Sequence, residues 1–102
     1  MTGPLDGYRI VDLTGVISGP FATMMLADQG ADVIKVETPG VGDYPRQAGN
    51  RKADLSASFL NNNRNKRSIA INLKDDRGRE IFNRLIKTAD VLTQNFRPGV
   101  AE

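Results

Sequence analysis

Carboxylates, amides and cations must carry any chemistry in this sequence, because two reactive residue types are missing. The 102 residues contain no cysteine and no histidine. The absence of cysteine excludes disulfides, thiolate catalysis and sulfur-ligated metals. The absence of histidine removes the commonest general base and the commonest transition-metal ligand. We therefore expect no metal site, and we look for binding chemistry in segments rich in glycine, amides and cations.

The first such segment runs from Thr14 to Pro20 and precedes a predicted helix. Gly15 and Gly19 leave backbone amides accessible, and amides at a helix start suit a phosphate or a carboxylate. The spacing is not the Gly-x-Gly-x-x-Gly of dinucleotide sites, although Glu37 stands about 20 residues on, where a ribose-binding acid would be. NAD is therefore not expected. An anion site and a tight turn both stay open.

A second segment, Asn61 to Ser68, combines three cations with four asparagines. Clustered cations suit polyanions through phosphate contacts, and the alternative is an exposed basic turn. The long stretch before it, Thr38 to Leu55, is rich in Gly and Pro. It holds Asp43 and Arg46, which are either functional or simply solvated loop residues.

A third segment is Asn95 to Gly99, at the end of the last predicted strand. It presents an amide, an aromatic face and a guanidinium within three residues, a set that suits stacking on a base and pairing with a phosphate. The alternative is a turn in which Phe96 packs inward while Pro98 and Gly99 redirect the chain.

Alternating strands and helices must position these segments. Apolar patterns predict four strands, at Tyr8 to Leu13, Ala31 to Glu37, Ser68 to Leu73 and Asp90 to Gln94.

Two helices are predicted between these strands. The first has Pro20 at its first position and Gly30 at the left-handed position beyond its end. The second follows the acidic pair Asp75-Asp76, where negative charge favours a helix start. Gly78 costs it about 1 kcal/mol relative to alanine. Its apolar face comprises Ile81, Phe82, Leu85, Ile86 and Ala89. A short further helix is predicted within Ser56 to Asn62.

This alternation predicts an α/β fold, a Rossmann-like parallel sheet with flanking helices that forms part of a domain over residues 1–102. Ligands of open α/β sheets bind beyond the carboxyl ends of the strands. Four segments should gather there, namely Thr14 to Pro20, Glu37 to Arg46, Leu73-Lys74 and Asn95 to Gly99.

Composition adds few constraints. The net charge of +2 gives no nucleic-acid or membrane signal, and no apolar run approaches the roughly 20 residues of a membrane span. The amino terminus lacks the charged and apolar regions of a signal peptide, so we expect a cytoplasmic protein. The apolar fraction, 39%, is slightly low for a free-standing unit, so we expect a partner surface.

Taken together, the motifs resemble the opening of class III CoA-transferases, the CaiB/BaiF type. The match extends over nearly the whole chain, in order and with compatible spacing. The matching residues are Leu13-Thr14, Ser18 to Pro20, Leu26 to Glu37, Gly42-Asp43, Arg46, Asn63 to Ser68, Leu73-Lys74, Gly78-Arg79, Ala89 to Val91 and Asn95 to Gly99.

The resemblance implies a CoA-binding layer in an interlocked homodimer that uses acyl-CoA as donor and a carboxylic acid as acceptor. In this family an aspartate attacks the thioester, forms a mixed anhydride with the acyl group and releases CoA thiolate. That aspartate is expected beyond residue 102, so the segment alone should be inactive. Asp12, Asp32, Asp75 and Asp76 are assigned structural roles.

The resemblance also implies which residues of this segment contact CoA. These are Ser18, Ile71, Asn72, Leu73, Lys74, Asn95, Phe96 and Arg97, with Lys74 and Arg97 facing the phosphates. Thr38 replaces an arginine that contacts the nucleotide in some members, which argues against that contact. Ile17 replaces a glutamine of formyl-CoA:oxalate enzymes, which argues against the oxalate subtype.

Three alternatives remain. An α-methylacyl-CoA racemase of the same family would exchange an α-proton with acid–base residues that also lie beyond residue 102. A nucleic-acid-binding module would rest on Asn61 to Arg67 with Phe96. A non-catalytic assembly unit would be stable only when paired with the rest of the protein.

Overall fold

The computed structural model describes residues 3–15, 18–39, 51–52, 55–56 and 62–96. In chain order these contain β1 (Arg9–Asp12), α1 (Ser18–Asp28), β2 (Asp32–Glu37), β3 (Arg51–Lys52), β4 (Leu55–Ser56), β5 (Arg67–Ala70), α2 (Asp76–Ile86) and β6 (Val91–Thr93). The four predicted strands and the two longer predicted helices are all present. The predicted helix within 56–62 lies largely outside the described residues.

The main sheet is parallel throughout and has the strand order β5-β2-β1-β6. Taken in chain order, its strands follow the 3-2-1-4 order that begins the doubly wound nucleotide-binding sheets. Their carboxyl ends therefore meet at one edge. The predicted α/β fold is confirmed, and β3 and β4 form a separate antiparallel pair.

Helix α1 begins at Ser18, two residues earlier than predicted, so Pro20 lies inside the first turn rather than at the first position. The proline is tolerated there because amides of the first turn have no intrahelical partner. At the other end Gly30 has a positive φ of 103°. The Gly30 amide bonds the Ala27 carbonyl at 3.0 Å, and the Ala31 amide bonds the Leu26 carbonyl at 3.3 Å. This is the Schellman ending that the glycine predicts.

One apolar cluster lies on each face of the sheet. On the α1 face, Ile10 and Val33 pack with Ala27 and Ala31. On the α2 face the buried residues are Val11, Leu13, Val36 and Ile71, with Ile69, Leu73, Phe82, Leu85, Ile86 and Ala89 packed against them. A central parallel strand covered on both sides needs consecutive apolar residues, as Ile10-Val11 and Val33-Ile34 provide.

The apolar face of α2 is narrower than predicted. Phe82, Leu85 and Ile86 pack on the sheet, whereas Ile81 is 50% exposed. Successive helical residues are about 100° apart around the axis, so Ile81 stands beside the packed stripe rather than on it. Neither α1 nor α2, nor any other helix in the described ranges, combines the length and apolarity needed to cross a membrane.

Candidate functional site

A cavity of about 380 Å³ opens at the carboxyl edge of the main sheet. It lies beyond the ends of β1, β2 and β5, where the topology predicts a ligand. The residues that line it are Leu13, Thr14, Gly15, Lys35, Val36, Glu37, Thr38, Ile71, Asn72, Leu73, Lys74 and Phe96. The volume is near the lower end of small-molecule sites, ~300–1,000 Å³.

The structure gathers five of the eight residues that sequence reasoning assigned to CoA. The segment Ile71 to Lys74 and Phe96 line the cavity. Ser18 is the exposed first residue of α1, and neither it nor Asn95 is among the lining residues. Arg97 lies outside the described residues, as do Ile17, Asp43 and Arg46.

The segment after β5 is shaped by its own asparagine. The Ile71 amide still bonds the Glu37 carbonyl of β2 at 3.0 Å, after which the chain turns. The Asn72 Oδ1 accepts from the Lys74 amide at 3.1 Å, and the Asn72 carbonyl accepts from the Asp75 amide at 3.2 Å. This is an Asx-type turn. It presents Leu73 and Lys74 at the cavity and starts α2 immediately afterwards.

Gly78 lets α2 approach this turn closely. A Cβ atom at Gly78 would lie 1.9 Å from the Asn72 carbonyl oxygen and 3.3 Å from Ile71 Cγ2. No side chain fits such a distance to backbone. The sequence indicates only that glycine lowers helix stability at this position. The structure shows that the missing side chain of Gly78 allows α2 to pack closely against the turn that lines the cavity.

Sequence reasoning missed a buried polar half of the α1 face. Lys35 and Glu37 are 1% and 7% exposed, yet both line the cavity. The Glu37 carboxylate accepts a hydrogen bond from the Ser68 hydroxyl of β5. The sequence analysis places Glu37 at the carboxyl edge of the sheet and Lys35 within the matching segment Leu26 to Glu37, but it assigns neither residue to a buried polar group. The sequence does carry a signal for these two residues, because Lys35 and Glu37 alternate with apolar residues in the buried strand β2.

The turn after β1 bears on the choice between an anion site and a tight turn. The Thr14 amide bonds Asp12 Oδ1 at 2.9 Å, and the Gly15 amide bonds Asn95 Oδ1 at 3.0 Å. Neither amide is available to an external anion. At these two residues the structure therefore favours the turn interpretation over the anion site. Gly19 is needed for packing, since a Cβ there would meet the Thr14 Cβ at 2.3 Å.

Asp12, assigned a structural role, is the centre of a buried network. Its side chain is 0% exposed, and its Oδ2 meets Lys66 Nζ at 2.9 Å, whose side chain is 1% exposed. The hydroxyls of Thr14, Thr23 of α1 and Thr93 of β6 also donate to the Asp12 carboxylate. Burial by itself raises the pKa of Asp12, but hydrogen bonds from Thr14 and the Lys66 charge outweigh it, so the pKa is lowered below its ordinary value.

The Lys66 ammonium makes further hydrogen bonds. It donates to the Pro20 carbonyl at 3.0 Å and to Asn63 Oδ1 at 2.8 Å. Lys66 therefore ties the segment before β5 to the end of β1 and to the first turn of α1. It stabilises the framework behind the cavity.

The other two cations of the predicted polyanion cluster also pair with aspartates. Arg64 bonds Asp28 at 2.7 Å, and Arg67 bonds Asp32 at 2.7 Å. The hydrogen bonds from Arg64 and Asn65 lower the pKa of Asp28, and Asp28 in turn raises the pKa of Arg64. With Lys66 on Asp12, each cation has an internal partner. The structure thus gives the cluster a bracing role that neither sequence interpretation anticipated.

Within the described parts of the chain, no cluster of three or more His, Cys, Asp or Glu residues is arranged to hold a metal ion. The site is instead an apolar-walled cavity with amide, ammonium and carboxylate groups and one aromatic side chain. Phe96, 39% exposed, supplies that ring.

The fold and the site define a partial α/β domain with a ligand cavity at the carboxyl edge of its sheet. Comparison with known proteins identifies the family. The model of CoA-transferase family III matches residues 5–102, and the chain belongs to this family. The resemblance stated from the motifs is confirmed.

Curated relatives agree with this assignment. The chain is 50% identical over 100 residues to the acetyl-CoA:oxalate CoA-transferase of Acetobacter aceti, covering 98% of this chain and 26% of that protein. It is 53% identical over 97 residues to the succinyl-CoA:glutarate CoA-transferase of Mus musculus, covering 94% and 22%. The chain thus spans about a quarter of the length of these relatives.

A solved structure shows the same fold. A CaiB/BaiF family protein from Brucella suis superposes with a TM-score of 0.89 at 40% identity, covering 97% of this chain and 27% of that one. The four-stranded parallel sheet with its two helices is therefore part of an α/β domain that this family shares.

Proposed function

We propose that these residues form the amino-terminal CoA-binding segment of an acyl-CoA:carboxylate CoA-transferase. One observation carries the proposal. The turn Ile71 to Lys74 and the distant Phe96, which the family resemblance assigns to CoA, line one cavity at the ligand-binding edge of the sheet.

Each group in this cavity has a part to play with such a ligand. Phe96 offers an exposed ring on which an adenine base can stack, and Ile71 and Leu73 offer apolar surface. Lys74 is exposed at the rim, and its ammonium suits a phosphate as a point charge. Arg97, next along the chain from Phe96, adds a second cation for the phosphates.

The carboxylates at the described site are not proposed as nucleophiles. Asp12 is buried behind the cavity and bound to Lys66, and Glu37 accepts from Ser68. The attacking aspartate of the mixed-anhydride mechanism belongs, in this proposal, to residues beyond position 102. We propose that residues beyond position 102 also supply the remaining contacts to acyl-CoA. We further propose that the protein forms an interlocked homodimer and is located in the cytoplasm.

Transfer is favoured over racemisation by the relatives reported above, which are named as CoA-transferases. The acceptor acid is not selected by similarity over this segment. Relatives named for oxalate and for glutarate are 50% and 53% identical to it, respectively. The prediction from Ile17, against the formyl-CoA:oxalate subtype, stays a prediction.

Calorimetric titration of the complete protein with CoA tests the proposal. Lys74→Ala and Arg97→Ala should each weaken CoA binding by about 1 kcal/mol or more, roughly fivefold, as lost charge-assisted bonds. Lys87→Ala is the matched control, because Lys87 is an exposed lysine just after α2 and away from the cavity. Unchanged affinity in both site variants would refute the assigned site.

A further inference from the structure

The turn after β1, Thr14-Gly15, has all four of its backbone polar groups engaged by side chains. Asp12 accepts from the Thr14 amide at 2.9 Å, and Lys35 Nζ donates to the Thr14 carbonyl at 3.2 Å. Asn95 Oδ1 accepts from the Gly15 amide at 3.0 Å, while Asn95 Nδ2 donates to the Gly15 carbonyl at 2.9 Å. The partners come from β1, from β2 and from the segment after β6, so two strands and this segment together hold the turn.

Asn95 is chemically suited to its part of this arrangement. Its carboxamide carries an acceptor and a donor side by side, and both meet the single residue Gly15, which is 80 positions away in sequence. Aspartate would offer the acceptor without the donor, and alanine would offer neither. The side chain thus reproduces, for one residue, the paired bonds that a neighbouring strand would make.

Lys35 braces the same turn from the other side. It lies beside Asp12 in the parallel register of β1 and β2, is 1% exposed and places its ammonium on the Thr14 carbonyl. Thr14, Gly15 and Lys35 all line the cavity, whereas Asn95 does not. The turn is therefore one wall of the cavity, and Asn95 stands behind that wall.

We propose that Asn95 is a positioning residue, which clips the Thr14-Gly15 turn in place as a wall of the ligand cavity. This role is separate from the contact that the family resemblance assigns to Asn95. The role of the Thr14-Gly15 turn in a CoA site rests on the proposed function. The clip, meaning the hydrogen bonds between Asn95 and Gly15, does not.

The clip spans the point at which the strand order of the sheet reverses. β1 and β6 flank the point at which the strand order reverses, and an open α/β sheet usually binds its ligand in the crevice there. In this protein the carboxamide of Asn95 bridges that crevice. The cavity lies over the ends of β1, β2 and β5, with Phe96 as its contribution from the β6 side.

Hydrogen exchange on the complete protein, followed by titration with CoA, separates the clip from a direct contact. Asn95→Ala should speed exchange of the Gly15 amide by about fivefold, as loss of one net hydrogen bond implies. Exchange of the Asp32 amide, which bonds the Tyr8 carbonyl at the opposite edge at 2.9 Å, should not change. Asn95→Asp keeps the acceptor, so the Gly15 amide should stay closer to its native rate. Asn83→Ala, at an exposed asparagine of α2, is the matched control and should alter neither rate.

The titration should show CoA affinity reduced by about fivefold in Asn95→Ala, with Asn95→Asp in between. Unchanged Gly15 exchange in Asn95→Ala would overturn the clip, whatever happens to affinity. Faster exchange with native CoA affinity would overturn the role of the turn as a wall of the CoA site. If the unmodified protein does not bind CoA, the proposed function fails, and the exchange rates still decide the clip.

Discussion

Removal of the Lys66 ammonium should destabilise the sheet strongly, because it leaves a buried carboxylate without its counter-charge. In Lys66→Met the apolar stem is kept, but Asp12, 0% exposed, loses the cation at 2.9 Å. The Pro20 carbonyl and Asn63 Oδ1 lose the same donor. Breaking a buried pair from one side costs about 3–5 kcal/mol. The hydroxyls of Thr14, Thr23 and Thr93 still bond Asp12, which favours the lower end.

The measurement is hydrogen exchange at the Leu13 amide, which bonds the Thr93 carbonyl between β1 and β6 at 2.9 Å. A loss of about 3–5 kcal/mol in the free energy of opening corresponds to exchange roughly 10²- to 10⁴-fold faster. Arg64→Met is the control from the same segment. It removes a cation whose side chain is 60% exposed and paired with Asp28, so it should have a much smaller effect.

A double-mutant cycle with Asp12→Asn isolates the pair. The combined Asp12→Asn and Lys66→Met variant removes both charges, so it should cost less than the two single changes added together, with a coupling of about 1–3 kcal/mol. The reasoning fails if Lys66→Met costs less than about 1 kcal/mol, or no more than Arg64→Met.

Three further predictions concern the turn after β5, acid stability and activity. Gly78→Ala should separate α2 from the Asn72 carbonyl, which a Cβ would otherwise meet at 1.9 Å, and should weaken CoA binding in titration; native affinity would contradict this. Because the pKa of Asp12 is lowered on folding, the contribution of its carboxylate to the stability of the fold should be complete above the unfolded pKa near 3.8 and lost as pH falls through the folded pKa. In Asp12→Asn the free energy of unfolding, measured against pH, should therefore fall less steeply in acid. An unchanged acid dependence would exclude Asp12 as its source. Residues 1–102 alone should transfer no CoA between acids in a thioester assay, and turnover by the pure segment would refute a nucleophile beyond residue 102.

Local features of the fold could be predicted because their causes are local. Short apolar runs indicated the four strands, and Gly30 marked the end of α1 because its positive φ is a property of the glycine itself. Boundaries were less certain, since α1 begins two residues before Pro20. Ile81 was misplaced because a periodic pattern defines the direction of a helix face better than its width.

The candidate site could likewise be predicted only in part. Ile71 to Lys74 and Phe96 were predicted from motifs and do line the cavity, whereas Lys35 and Glu37 were not predicted to do so together. A polar residue inside an apolar strand shows in the sequence, but its neighbours depend on which strands are adjacent.

The sequence by itself determined the order of the elements, the family of the chain and the edge of the sheet at which a ligand should bind. Only the tertiary structure decided the partners of the charged and amide groups. Lys66 pairs with Asp12 across 54 positions, and Asn95 holds Gly15 across 80. The strand order β5-β2-β1-β6 creates both meetings, because it brings the ends of β1 and β6 side by side and leaves the segment before β5 beside α1. Patterns along the chain report whether a residue is buried, whereas its partner is a property of the assembled sheet.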